Sequence, residues 1–416
     1  MLFLLDNGAH SIKVGHDHEP SVFQNAIVRS KGDKETYYGH EIPLCRDRSS
    51  LHYRLPCEKG YVVDWDAQKA IWDGMFLQLL KADVSESSVL ITEPYFNLPQ
   101  IQRIYDQFVF EEYGFQSYYR CTPASLIPHG SLFTAPHKTP EGDAPSPPEC
   151  MLVVDSGFSF THVVPLISGS IVWNAVKRID IGGKLLTNHL KELVSYRQWN
   201  MMDQTYIMDD VKEACCYVST VFKADMELSR VERSRNPIIL QYLLPDFSLN
   251  RPGELLGPNQ VVKDASWQIL EMNNERFTVP ELLFTPSDIG LEQVGLAQAI
   301  AHSISLLPEE LHGMFWGNIG LIGGNTKFPG FVPRLMSELR SLASVDYEIA
   351  IYQSPDPITE AYRSAHQFVT SSPSVYAQRY AVTREDYFEI GSDMTRKRWK
   401  GPYSDVPLRV DSRFKE

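Results

Sequence analysis

The chain has 416 residues, 43% hydrophobic and 22% charged, which suits two or three domains with a large core. Its net charge of −13 argues against autonomous nucleic-acid binding, because an acidic surface repels phosphate backbones; association through a basic protein such as a histone stays open. The cysteines, Cys45, Cys57, Cys121, Cys150, Cys215 and Cys216, make no C-x-x-C pair or zinc spacing, and no apolar run approaches the ~18 residues of a membrane span, so reduced thiols in a cytosolic or nuclear protein are expected.

In chain order, Leu2–Leu5 is an apolar run that fits a buried strand and ends in Asp6-Asn7-Gly8, with Lys13 following. Ile101, Ile104, Tyr105 and Phe108 recur at helical spacing. SLFTAPHKTPEGDAPSPPEC carries prolines from Pro136 to Pro148 with little to bury, and is expected to be a flexible surface loop. Met151–Val154 is a second buried strand, ending in Asp155-Ser156-Gly157. Leu186, Leu190, Leu193 and Val194 form another helical stripe, PDFSLNRPGELLGPNQ another expected loop. Ile319–Ile322 is a strand ending in Gly323-Gly324, followed by a helical stripe at Val332, Leu335, Met336 and Leu339. After Gly391 the tail is polar and mixed. Its basic cluster, Arg396 to Lys400, is expected to be a solvated tail, with a nuclear import signal or a DNA-phosphate contact as the sharper readings. Strands alternating with helices argue for an α/β architecture.

The repeated strand-then-D-[NS]-G device carries the chemistry. A glycine at each turn lets backbone amides approach an anion, and two such turns facing each other would clamp one phosphorylated ligand. Asp6 and Asp155 cannot touch phosphates favourably, but they can hold a divalent cation through waters. Lys13 supplies a point charge. One such turn alone is a common structural device; two, with a third at LIGGNTKFPGF, point to a ligand. There Asn325 and Thr326 offer hydrogen bonds, and Phe328 could stack on a base.

The ordered set DNG with Lys13, TEP at Thr92–Pro94, DSGFSFTHVVP, VKEACCYV, NERFTVPELLFTPS and GGNTKFPG resembles actin and the actin-related proteins over nearly the whole chain. ITEPYFNLPQIQ, FEEYGFQ, GGKLLTNHLKELVSYRQ, YLLPDFS, DPITEAYRSA and VTREDY resemble one branch of that family. The resemblance implies a two-lobed actin-like α/β fold of duplicated ribonuclease-H-like domains with a nucleotide between the lobes. It divides the chain into a first-lobe large subdomain (1–26, 62–128 and 359–416) and small subdomain (27–61), a proline-rich insertion (129–149), and a second-lobe large subdomain (150–181 and 278–358) and small subdomain (182–277).

Carried over residue by residue, the resemblance implies that Asp6 and Asp155 hold the water shell of Mg²⁺, while Asn7, Gly8, Lys13, Ser156, Gly157, Phe158 and Ser159 belong to the phosphate loops. Lys212 and Glu213 would contact the nucleoside, Gly183 the sugar, and Gly323, Gly324, Asn325, Thr326 and Phe328 the adenosine. His162 matches a histidine near actin's attacking water. The departures are as informative. Ala9 and His10 stand where actin has serine and glycine, and Phe158 and Ser159 where it has aspartate and glycine. Pro123 falls where a glutamine positions the hydrolytic water, Ile358 where a lysine packs on adenine. Proline has no side-chain hydrogen bond and no N–H, so ATP with Mg²⁺ is expected to be a structural ligand, turned over slowly or not at all, with no catalytic residue.

Actin's filament-grasping loop is shortened here between Lys31 and Lys34, and no polymer is expected. The branch acts in the nucleus, within Swr-type remodellers that exchange a variant histone into nucleosomes. It pairs there with a small zinc-finger subunit, the motor subunit and an AAA+ helicase-like ring, touching nucleosomes or histones indirectly and no membrane. The expected state is one copy in a hetero-oligomer. Two other classes stay open: an active ATPase of the actin-like superfamily, for which no chaperone-type domains follow VTREDY, and a cytoplasmic cytoskeletal subunit.

Overall fold

A computed structural model describes residues 1–32, 34–133, 147–257 and 267–399. Two mixed sheets form its frame, and they share one topology. In the first, Leu2–Asn7 pairs antiparallel with Ser11–Gly15 on one side and parallel with Ser88–Thr92 on the other. Ser21–Gln24 extends the hairpin side and Ser117–Cys121 the parallel side. In the second, Cys150–Ser156 pairs antiparallel with Thr161–Ile167 and parallel with Ile319–Ile322, and Ile351–Gln353 lies beyond. Both leading strands are buried on both faces, which explains why they read as continuous apolar runs rather than alternating ones.

The duplication extends to register. Asp6 faces Lys13 across the first hairpin, and Asp155 faces His162 across the second. Lys13 and His162 therefore occupy equivalent positions in the two halves.

The helices bury the expected stripes only in part: Ile101, Ile104, Phe108, Leu193, Val332 and Met336 are half-buried. Gly183–Arg197 buries Leu186, Leu190 and Val194, and Phe331–Leu342 buries Phe331, Leu335 and Leu339, each set spaced by four. Pro99–Gln107 starts with proline, whose missing N–H is no loss in the first turn, and runs into a wider turn, Phe108–Glu112, that buries Val109 and Phe110. A small three-stranded sheet packs on each frame. Ile27–Arg29 lies between Thr36–Tyr38 and His52–Arg54; Leu240–Leu243 lies between Glu254–Leu255 and Ile269–Met272. The lobes join in one apolar cluster, where Tyr95, Ala124 and Ile127 pack with Met151, Val153 and Val164.

Two sequence expectations need correction. The expected loop at PDFSLNRPGELLGPNQ contains the edge strand Glu254–Leu255, whose two residues are too few to show a period in sequence. The tail after Gly391 is no solvated segment as far as Trp399. Ser392–Arg398 is a helix, Thr395 and Arg396 are buried, and Trp399 lies against Tyr118 and over the Arg120 guanidinium. Lys397 remains exposed, Arg398 donates to the Gln378 carbonyl, and Lys400 lies outside the described residues. Most of the 129–149 insertion, residues 134–146, also lies outside them. Among the described residues no helix is long and apolar enough to cross a membrane, and all six cysteines are buried.

Candidate functional site

The two D-[NS]-G turns open onto one cavity of about 530 Å³, within the range of small-molecule sites. Its lining includes Asp6, Asn7, Gly8 and Lys13 from the first lobe and Asp155, Gly157, Phe158, Ser159 and His162 from the second hairpin. Gly183, Lys212 and Glu213 join them from two helices, and Gly323, Gly324, Asn325 and Phe328 from the third turn. Pro123 and Ile358, two of the departures read from sequence, line the same cavity.

Both carboxylates are held by first-lobe side chains. Thr92 Oγ1 donates to Asp6 Oδ1 at 2.6 Å, and Lys13 Nζ lies 3.1 Å from Asp6 Oδ2. Tyr95, a first-lobe residue, donates its hydroxyl to Asp155 Oδ2 at 2.9 Å. Burial pushes the Asp155 carboxyl up to about 6; the Tyr95 hydrogen bond opposes the shift and the Asp6 charge adds to it. That penalty is what a divalent cation between the two would remove. A buried and a half-buried carboxylate on opposing hairpins, with room beside them for water, suit a hard oxygen-ligated cation. Among the described residues no group of three or more His, Cys, Asp or Glu could hold a metal ion.

The turns leave space where a ligand would approach. A Cβ on Gly8 would fall 2.6 Å from the Ser11 carbonyl oxygen, so no other residue fits the first turn. Gly323 has φ of +90°, and a side chain there would run into the Ser156 backbone. The Asn7 side chain turns inward, donating to Tyr105 at 3.2 Å and accepting from Trp72 Nε1 at 3.3 Å, and so pins the hairpin from behind. Asn325 Nδ2 ties the third turn to the second, donating to the Gly157 carbonyl at 2.7 Å.

Ser156 and Thr326 are not on the cavity wall. The Ser156 hydroxyl lies 2.8 Å from Thr161 Oγ1 and accepts from Asn325, while Thr326 Oγ1 donates to the Gly323 carbonyl at 2.8 Å. Both shape the loops from behind. Lys212 is also committed internally, donating to Thr187 at 2.8 Å and to Asp209. Burial works against the Asp209 charge, but Lys212 and His10 outweigh it and hold the carboxyl below its ordinary range. Burial, with Asp209 nearby, raises Glu213. His162 is buried, beside the Tyr95 ring at 4.6 Å; burial and the Arg178 charge push it down to about 3, so it is neutral.

Several wall residues escaped the sequence reading. Tyr95 directly follows the TEP string, and Asp209 stands three residues before Lys212, one helical turn on the same face; both were within reach of spacing arguments. Lys59, Gly60 and Tyr61, which form the first-lobe rim, carry no motif. His10, read only as a lost glycine, makes contacts of its own: its ring lies 4.9 Å from Phe158 and its Nε2 3.7 Å from Asp209 Oδ2.

Comparison with known proteins agrees with this geometry. The actin family profile matches residues 2–400. An actin-like protein ARP6 of Cryptococcus neoformans is 49% identical over 99% of this chain and 86% of its own length. Actin-related protein 6 of Drosophila melanogaster is 38% identical over 93% of this chain and 97% of its own, and that of Arabidopsis thaliana 36% over 96% and 99%. With paired hairpins on a duplicated sheet, one cleft between them, and a family match along almost its full length, the chain belongs to the actin family.

Proposed function

We propose that this protein is a nuclear actin-related subunit of a Swr-type chromatin remodeller that holds ATP with Mg²⁺ as a structural ligand. One observation carries the nucleotide part: two hairpins bearing Asp6 and Asp155 face a single cleft, with Lys13 beside the first and Pro123 on the wall. In this reading Asp6 and Asp155 hold the cation's water shell, and the cation neutralises phosphate charge. Lys13 and the amides of the two turns bind phosphate oxygens, while Phe328, Pro329, Pro357 and Ile358 pack on the base. Pro123 has neither a side-chain hydrogen bond nor an N–H to hold a water as a glutamine would, which favours slow turnover.

The assembly part rests on the relatives named actin-related protein 6 and on the branch resemblance. The proposed partners are a small zinc-finger subunit, the remodeller's motor subunit and the AAA+ ring, with the nucleosome reached through them and histone exchange driven by the motor. The net charge of −13 favours contact with basic surfaces over direct DNA binding. Affinity purification of the tagged protein from nuclear extract, with mass spectrometry of what co-purifies, tests this reading. Stoichiometric remodeller subunits are expected; recovery with cytoplasmic filament components alone would overturn it.

A further inference from the structure

Tyr95 is a first-lobe residue that reaches into the second lobe. It stands just past the strand Ser88–Thr92 and belongs to the apolar cluster at the base of the cleft. The next residue, Phe96, has φ of +56°, a left-handed conformation that strains an aromatic residue. The turn carries both rings across the lobe boundary. Phe96 lies 5.4 Å from the Trp173 ring, and Tyr95 lies 4.6 Å from that of His162. Tyr95 is buried, yet it borders the cavity together with Asp155, His162 and Pro123.

Its hydroxyl works in two directions. The proton goes to Asp155 Oδ2 at 2.9 Å, and the oxygen accepts the Ala124 amide at 3.1 Å. Ala124 lies in the first turn of the short helix Pro123–Leu126, where an N–H has no partner within the helix. Thr122, the residue placed to cap that turn, makes no side-chain capping bond. Tyr95 supplies the cap instead, from another element. A buried water is held by about two to four polar groups. On this wall a carboxylate, an orphan amide and an imidazole come together, and Tyr95 engages all three.

We infer, on the nucleotide reading given above, that Tyr95 is a plug: it occupies the place of an attacking water between Asp155, His162 and Pro123, and so keeps the bound triphosphate intact. The step it prevents is a simple displacement. A water oxygen bonds to the terminal phosphorus as the bridging P–O bond breaks, and the water's proton passes to a phosphate oxygen or to solvent, releasing ADP and phosphate. The plug shifts the cause of slow turnover from a side chain that Pro123 lacks to a ring that is present. A glutamine restored at position 123 is then not sufficient, because the Tyr95 ring and hydroxyl already hold the space and the partners of the water it would orient.

The test combines Tyr95→Leu, which keeps apolar packing and opens the wall, with Pro123→Gln, which supplies a group to orient a water. Phosphate release from Mg-ATP is expected to rise on the order of 10- to 100-fold over wild type in the double variant, with ATP still retained on the chain. A folded, ATP-loaded double variant as slow as wild type would overturn the plug. The same rise in Pro123→Gln alone would overturn it too, since the ring would then leave room for a water. So would slower release in Tyr95→Phe than in wild type, because the hydroxyl would then be serving a water rather than displacing one. Should the double variant fail to fold, Tyr95→Met with Pro123→Gln, closer in volume, replaces it under the same criteria. Hydrogen exchange on nucleotide-free protein adds a readout independent of turnover. The Ala124 amide is expected to exchange about tenfold faster in Tyr95→Phe, the loss of one hydrogen bond, and unchanged exchange would mean that the hydroxyl does not hold this wall. A wild type that retains no ATP ends the nucleotide reading and the plug with it, whereas a loaded wild type beside a loaded but inert double variant ends the plug alone.

Discussion

Asp155 and Lys13 illustrate what individual residues contribute. Asp155 is half-buried on the second hairpin with its carboxyl pushed up, and Lys13 is tied to Asp6. In the proposed reading, Asp155→Asn would remove an anion that holds the cation's water shell, and Lys13→Met would remove a phosphate contact. Each is expected to weaken Mg-ATP binding on the order of 10- to 100-fold by calorimetry, with little change in the fold. An undiminished affinity in both would place the ligand elsewhere. His162 makes a separate prediction through pH. Its folded pKa is depressed to about 3, against an ordinary value of 6.5. Between those values the unfolded chain takes up a proton that the folded chain refuses, so wild-type stability falls as the pH drops below about 6.5. His162→Phe lacks this loss. Relative to wild type it is expected to gain up to about 1.4 kcal/mol per pH unit on acidification over that window, measured by denaturant melts from pH 7 to 5. A constant difference across that range would show that the ring is not held neutral.

The C-terminal helix Ser392–Arg398 shows what decides an element when its sequence looks like a tail. Asp106 is fully buried and accepts from Arg120, from Ser392 and, at 3.4 Å, from Thr395. Arg120 in turn lies 3.1 Å from Glu93, a cavity-wall residue, and its guanidinium lies beneath Trp399. The helix thus completes the shell of a buried ion pair. Breaking that pair leaves an uncompensated charge, so Arg120→Met is expected to cost about 3–5 kcal/mol by chemical denaturation. The double variant Arg120→Met, Asp106→Leu is expected to recover much of the loss, since a well-packed apolar pair replaces the ions. Loss without recovery would mean that the helix depends on the charges themselves. None of this was legible in RKRWK, because a basic cluster gives no sign of the buried carboxylate it approaches. Elements whose partners are adjacent in the sheet were legible: Leu2–Asn7, Cys150–Ser156 and Ile319–Ile322 end at the turns that their Gly and Asp residues announce. The two-residue strand Glu254–Leu255 exists through its pairing with Tyr242 and Leu243, and no local pattern encodes it.

At the scale of the molecule, the repeated D-[NS]-G device led to a duplicated frame, and the frame brings the two turns to one cleft. The sequence reading reached most of the wall because each motif ends a strand, where a loop is exposed. Residues that approach from another element were out of reach: Lys59 to Tyr61 on the rim, and Arg48 against Tyr206. Such contacts are set by how the lobes close. The first small sheet also bears on assembly. Ser30 donates its amide to the Glu35 carbonyl, closing a short turn between Ile27–Arg29 and Thr36–Tyr38, and this turn offers little chain to reach a neighbouring subunit. The purified protein is therefore expected to stay in the supernatant on ultracentrifugation in high-salt Mg-ATP buffer; a pelleting polymer would refute that.

The central claim is that two opposed turns hold one triphosphate without consuming it. Incubating the purified protein with Mg-ATP, removing free nucleotide and analysing what is released on denaturation tests it directly. The account predicts close to one nucleotide per chain, still ATP after hours. An empty protein, or steady conversion to ADP that Asp155→Ala abolishes, would contradict it.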